Sequence, residues 1–138
     1  MAEPRTIFAY DFGISNIGLA IGQEVTKTAQ TFITLKAKNG IPSWIELDKL
    51  VSEWSPALFV VGNPLNMDGS RSEMQDLSDD FSKKIKNRYG INVEKADERL
   101  STREALSRMK EEENLSLNAD IHSLSAQIIL ESWFQEKS

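Results

Sequence analysis

The sequence predicts a mixed α/β domain in which three antiparallel strands precede helices that alternate with parallel strands. Three observations carry this reading. Three short apolar runs between residues 6 and 35 are separated by only a few residues, the spacing of a meander. Ala57–Gly62 is a continuous apolar run, which suits a strand buried on both faces. From Ser43 onward, apolar residues recur at helical spacing in stretches interleaved with strand-like runs.

The elements follow in order. Thr6–Tyr10 is the first apolar run and ends at Asp11-Phe-Gly13; Gly18–Gly22 is the second; Ala29–Leu35, with Thr, Phe and Ile in alternation, is the third. Ser43-Trp-Ile-Glu46 reads as a capping box, in which the serine oxygen accepts from an orphan amide and the glutamate reaches back. Leu47, Leu50, Val51 and Trp54 continue it as a helix, which Pro56 stops. After Ala57–Gly62 comes a polar loop from Asn63 to Arg71, then a second helix marked by Met74, Leu77, Phe81 and Ile85 and closed by Gly90. Ile91 and Val93 alternate with polar residues in a strand that runs into Asp97-Glu98. Ser101-Thr-Arg-Glu104 is a second capping box and opens a helix ending near Asn114; Ile121–Phe134 is a last helix, apolar on most sides and expected to be buried. The order β-β-β-α-β-α-β-α-α is that of the ribonuclease H-like fold. It implies a five-stranded mixed sheet with helices on both faces, in one domain spanning 1–138.

Composition narrows the function classes. The chain has 138 residues, 40% hydrophobic and 27% charged, which is typical of a soluble globular domain. With no cysteine it has neither disulfides nor a thiolate metal site. No stretch is long enough to span a membrane and the N-terminus lacks a signal pattern, so a cytoplasmic location is expected. The net charge of −5 argues mildly against non-specific nucleic-acid binding, which favours a basic surface. The distribution softens that objection. Lys83, Lys84, Lys86 and Arg88 cluster, and Arg99 and Arg103 flank an acidic motif. We read the lysine cluster first as a solvated helix end suited to the helix dipole, with a phosphate-tracking role as the alternative.

Acidic residues recur where strands end or helices begin: Asp11, Asp97-Glu98 and Asp120. At one sheet edge such carboxylates repel unless a divalent cation holds them, which points to Mg²⁺ or Mn²⁺ and phosphate chemistry. Around Asp11, Gly13, Gly18 and Ala20 would let a metal or phosphate approach the backbone; the plain alternative is a hairpin with an aspartate turn cap. A D-x-G opening also begins actin-like and sugar-kinase ATPases, but these need a second lobe. In the loop after Gly62, Asn63 and Asn66 are candidates for phosphates or base edges, with Arg71 as a cation at a helix start; the plain alternative is a Pro/Gly-rich connector. In a strand, Asp97 and Glu98 point to opposite faces, so only one can face Asp11. His122, the sole histidine, either bonds solvent or a nearby carbonyl, or reaches a metal.

Together, Asp11-Phe-Gly13, Gly18–Gly22, Val61-Gly62, Pro64-Leu-Asn-Met-Asp-Gly69, Asp97-Glu-Arg-Leu-Ser-Thr102 and Ile128–Glu131 resemble the YqgF family, also called RuvX. Its members are described as pre-16S rRNA nucleases and Holliday junction resolvases. The resemblance covers nearly the whole chain and implies a ribonuclease H-like nuclease that hydrolyses phosphodiesters with two metals, processing the 5′ end of pre-16S rRNA during ribosome biogenesis. It implies Asp11 and Glu98 as metal-binding catalytic acids. It also implies nucleic acid as partner, possible contact with ribosomal precursor particles and a monomer or weak dimer, with Asn63, Asn66, Arg71, Arg99 and Thr102 as nucleic-acid-binding residues. One position departs from the family: His122 stands where a third acid is expected. Imidazole favours Mn²⁺ over Mg²⁺, so His122 is read as a catalytic metal ligand that shifts metal preference. Asp120 lies about 200° around a helix from it and cannot simply substitute. Two alternatives stay open: a resolvase acting on four-way DNA junctions, and a non-catalytic RNA-binding ribosome-assembly module.

Overall fold

The computed structural model describes residues 5–63, 73–97 and 121–137. The elements are β1 (Thr6–Asp11), β2 (Asn16–Gln23), β3 (Thr28–Lys38), β4 (Ile41–Pro42), α1 (Trp44–Trp54), β5 (Leu58–Asn63), α2 (Glu73–Tyr89), β6 (Val93–Asp97) and α3 (Ile121–Lys137). The helix expected from Ser101 to Asn114 lies outside the described residues.

The strands form one mixed sheet in the order β4-β3-β2-β1-β5-β6. β1 to β4 pair antiparallel, and β5 and β6 run parallel to β1. The meander is therefore as expected, but the sheet has six strands rather than five. The additional one, Ile41–Pro42, pairs with Ala37 and Lys38 after a turn at Asn39 and Gly40, both at positive φ. A two-residue strand carrying proline leaves no alternation to read, and proline fits there because an edge strand needs no further donor.

Period-two alternation divides the core into two layers. Phe8, Tyr10, Ile17, Leu19, Phe59 and Val61 pack against Leu47 of α1 and against Phe81 and Ile85 of α2. Ile7, Ala9, Ala20, Leu58, Val60 and Ala96 pack against Ala126, Ile129, Leu130, Trp133 and Phe134 of α3. Helices thus cover both faces. The apolar run of β5 is buried throughout because its alternate residues feed both layers.

Local signals set the helix ends. Ser43 caps α1, its Oγ accepting from the Glu46 amide at 3.4 Å. α1 ends at Ser55, which takes a left-handed conformation just before Pro56. Gly90, at φ 65°, ends α2 by donating its amide to the Lys86 carbonyl. The two helices are tied by Arg88, which donates to both carboxylate oxygens of Asp48 at 2.7 and 2.6 Å, while the Tyr89 hydroxyl donates to Asp48 at 2.6 Å. The hydrogen bonds from Arg88, then Tyr89, hold the Asp48 carboxyl down to about 2. Partial burial and the neighbouring Asp48 charge push the Tyr89 hydroxyl up.

Candidate active site

Asp11 is the last residue of β1, which lies inside the sheet between β2 and β5. The parallel strands β1, β5 and β6 end at the same edge, at Asp11, Asn63 and Asp97; Asn63 and Asp97 are register partners. This is the edge where α/β sheets bind ligands, because side chains and loops there have no strand above them. Asp11 continues the alternation of Ile7 and Ala9, so it lies on the α3 face, and it is partly buried.

What brings His122 to Asp11 is Gly18. Gly18 is the β2 partner of Asp11 and, on its other side, of Thr34 in β3. A Cβ on Gly18 would fall on the backbone carbonyl of His122 and 2.9 Å from the amide nitrogen of Ser123. The first turn of α3 therefore sits directly on β2, beside Asp11. Gly22, two periods further along the same face, would likewise meet Leu130 at 2.5 Å and the Thr28 carbonyl at 2.8 Å. The two glycines with Ala20 between them form a smooth seat for α3. Sequence reasoning assigned Gly18 to close approach of a phosphate or metal; the space its missing side chain leaves is filled by the helix instead. The same holds at Gly13, where a Cβ would meet the Asn16 carbonyl, so that glycine closes the β1–β2 turn.

Further contacts fix α3. Trp133 Nε1 donates to Glu94 Oε1 of β6 at 3.2 Å, and Gln127 donates to the Ala29 carbonyl of β3 at 3.2 Å. His122 is partly exposed, while Ser123 and Ser125 beside it are buried. Lys36, the β3 partner of Asn16, reaches its side-chain oxygen at 3.5 Å near this edge. Nothing in the local sequence marks Thr34 and Lys36, because only the β2–β3 register brings Thr34 level with Asp11 and Lys36 to Asn16 at the same edge.

Of the predicted site residues, Asp11 and the backbone of His122 both adjoin Gly18. The β5 backbone carries Asn63 to the same edge. Glu98, Asn66, Arg71, Arg99 and Thr102 lie outside the described residues. Among the described residues no three His, Cys, Asp or Glu side chains are grouped as a metal site.

The profile of the family described as RuvX, Holliday junction resolvase, matches residues 5–136. The chain belongs to the RuvX family. Two relatives bearing the name "Putative pre-16S rRNA nuclease" are similar across their lengths. That of Pectobacterium atrosepticum is 45% identical over 133 residues, covering 95% of this chain and 96% of the relative. That of Aeromonas hydrophila is 44% identical over 135 residues, covering 96% of each. Among solved structures, Thermus thermophilus RuvC in complex with a Holliday junction substrate superposes with a TM-score of 0.59 at 14% identity, covering 96% of this chain and 95% of that one. A second T. thermophilus RuvC structure gives 0.51 at 13% identity. These likenesses establish the ribonuclease H-like fold for this RuvX member. No helix among the described residues is long and apolar enough to cross a membrane.

Proposed function

We propose that this RuvX protein is a divalent-metal-dependent nuclease of the cytoplasm that hydrolyses phosphodiester bonds in the 5′ leader of pre-16S rRNA. The observation that carries the reading is the seating of α3 on Gly18, which sets the His122 backbone against the strand partner of Asp11 at the carboxyl edge of the sheet. A carboxylate and an imidazole are donors that suit a divalent ion, and imidazole tilts the choice toward Mn²⁺. We take Glu98 as the second acid, on the face of the sheet that Asp11 shares with α3. Glu94 and Ala96 face α3, whereas Lys95 bonds Ser78 on the opposite side.

In this reading Asp11 would serve two divalent metal ions, with Glu98 as a further ligand for one and His122 for the other. Bound there, the metal supplies Lewis acidity: a water of lowered pKa and charge to offset the leaving 3′ oxygen. The remaining work belongs to the chain. Asp11 and the His122 backbone both adjoin Gly18 in packed backbone, which keeps reorganisation of the site small. Asn63, Asn66, Arg71, Arg99 and Thr102 hold flanking phosphates and orient the strand. The names of the relatives favour rRNA; the family description favours a four-way junction as the second reading.

The test is cleavage of a labelled pre-16S leader fragment in Mn²⁺ by wild type and Asp11→Asn. Removing an outer partner of a metal ligand costs about 10–100-fold, so losing a ligand is expected to cost more than about 100-fold. Equal cleavage by both proteins would remove Asp11 from the site. RNA binding with no cleavage by either would favour the non-catalytic module, and junction DNA cleaved in place of RNA would favour the resolvase.

A further inference from the structure

On the opposite face of the sheet from Asp11, a pocket of about 270 Å³ opens between α2 and β6. Among the described residues it is lined by Asp79, Ser82, Lys83, Lys86, Val93 and Lys95. Three lysines and one aspartate therefore line a small concave space. The carboxylate is already engaged: Asp79 accepts from Lys95 at 3.1 Å and from Gln75 Nε2 at 3.0 Å. Lys95 is held in place by a second bond, to Ser78 Oγ at 3.0 Å. Lys83 and Lys86 stand one helical turn apart on α2, are exposed, and form no ion pair among the described residues. Like charges at this spacing destabilise a helix unless an anion lies between them. That a chain of net charge −5 gathers cations here sets the pocket apart from its surroundings.

We infer that this pocket binds a backbone phosphate of the nucleic-acid substrate, a few nucleotides from the scissile bond. Lysine offers three donors and no acceptor, which suits phosphate oxygens, and Val93 provides an apolar wall for the sugar. The volume admits a phosphate with its sugar but lies below the range usual for whole drug-sized ligands. The register gives the path. Val61 pairs with Tyr10 on one side and with Lys95 on the other. Lys95 is therefore two strands from the residue before Asp11, about 10 Å between backbones. Lys83 and Lys86, read from sequence first as part of a solvated helix end, become an anchor that sets which length of strand is gripped. This inference rests on the nuclease reading for the identity of the ligand.

The experiment is fluorescence anisotropy of a labelled pre-16S leader RNA, and separately of a four-way DNA junction, in metal-free buffer at several salt concentrations. Wild type is compared with Lys83→Ala/Lys86→Ala and with a charge-matched double variant, Lys49→Ala/Lys84→Ala. All four lysines are exposed helix positions where alanine is well accepted. The pocket variant is expected to bind about tenfold more weakly, uniformly across sequences, and the matched variant within about twofold of wild type. The slope of log affinity against log salt should fall by roughly 0.7–0.9 in the pocket variant, for one phosphate no longer neutralised. Equal losses in both doubles, no loss in either, or a wild type that binds neither nucleic acid would overturn the proposal. A stronger effect on the RNA than on the junction assigns the phosphate to RNA, and the reverse assigns it to DNA; either supports the pocket. Because binding is read without metal, a wild type that later fails to cleave would sink the nuclease reading alone.

Discussion

Gly18→Ala tests the seat that joins the two ends of the chain. The added Cβ would overlap the His122 carbonyl and lie 2.9 Å from the Ser123 amide nitrogen. Non-bonded carbon contacts settle at about 3.5–4.0 Å. The obstacle is helix backbone, which cannot rotate away, so α3 must move outward by about 1 Å or more. Overpacking of this kind costs about 1–3 kcal/mol, and a backbone clash belongs at the upper end. Against it, alanine regains roughly 0.4–1 kcal/mol by restricting the unfolded chain. A net loss of about 2 kcal/mol remains. With an unfolding entropy of about 2.1 cal/mol/K per residue, that lowers Tm by roughly 7 °C for a chain of 138 residues. The same shift carries His122 away from Asp11, and a 1 Å misplacement at a catalytic site can cost about 100-fold in rate. The assays are thermal melting and Mn²⁺-dependent RNA cleavage. Gly22→Ala is the control, since its Cβ meets the flexible tip of Leu130 at 2.5 Å and the Thr28 carbonyl, far from His122. It should lose stability with a smaller loss of cleavage. A Gly18→Ala protein that melts with wild type, or that cleaves as well as Gly22→Ala, would refute the reasoning.

Two further outcomes are expected. His122→Asp should raise the ratio of Mg²⁺- to Mn²⁺-supported cleavage by about tenfold or more, because carboxylate suits Mg²⁺ where imidazole does not; identical ratios in variant and wild type would sink the metal-preference reading. The Asp48 carboxyl, held to about 2 against an ordinary 3.8, contributes stability that is full above its unfolded value and lost as pH falls through 2. Asp48→Asn should therefore melt below wild type at pH 6, with the gap closing between pH 4 and 2 in acid melting curves; a gap independent of pH would show that Arg88 and Tyr89 do not act through the Asp48 charge.

The sequence by itself determined the order of the described elements apart from β4. Strands β1, β2, β3, β5 and β6 and helices α1 and α2 are written in local chemistry: alternation, a serine cap at Ser43, and Gly90 where the chain must turn left-handed. It also marked Asp11 and His122 as singular, through residue type and position. Only the tertiary structure decided why they meet. Gly18 reads in sequence as room for a ligand, yet it is room for α3, because a glycine shows that something approaches the backbone and not what approaches. Thr34 and Lys36 join the site edge through a register that includes a shift between Leu19 and Ala20, which no count along the chain reveals. The lysines of α2 likewise acquire meaning only beside Lys95, because a pocket is made by residues from two elements and local sequence sees one at a time. Periodicity and capping act over a few residues and are legible in order; register, packing and the convergence of charges join distant parts of the chain and exist only once it has folded.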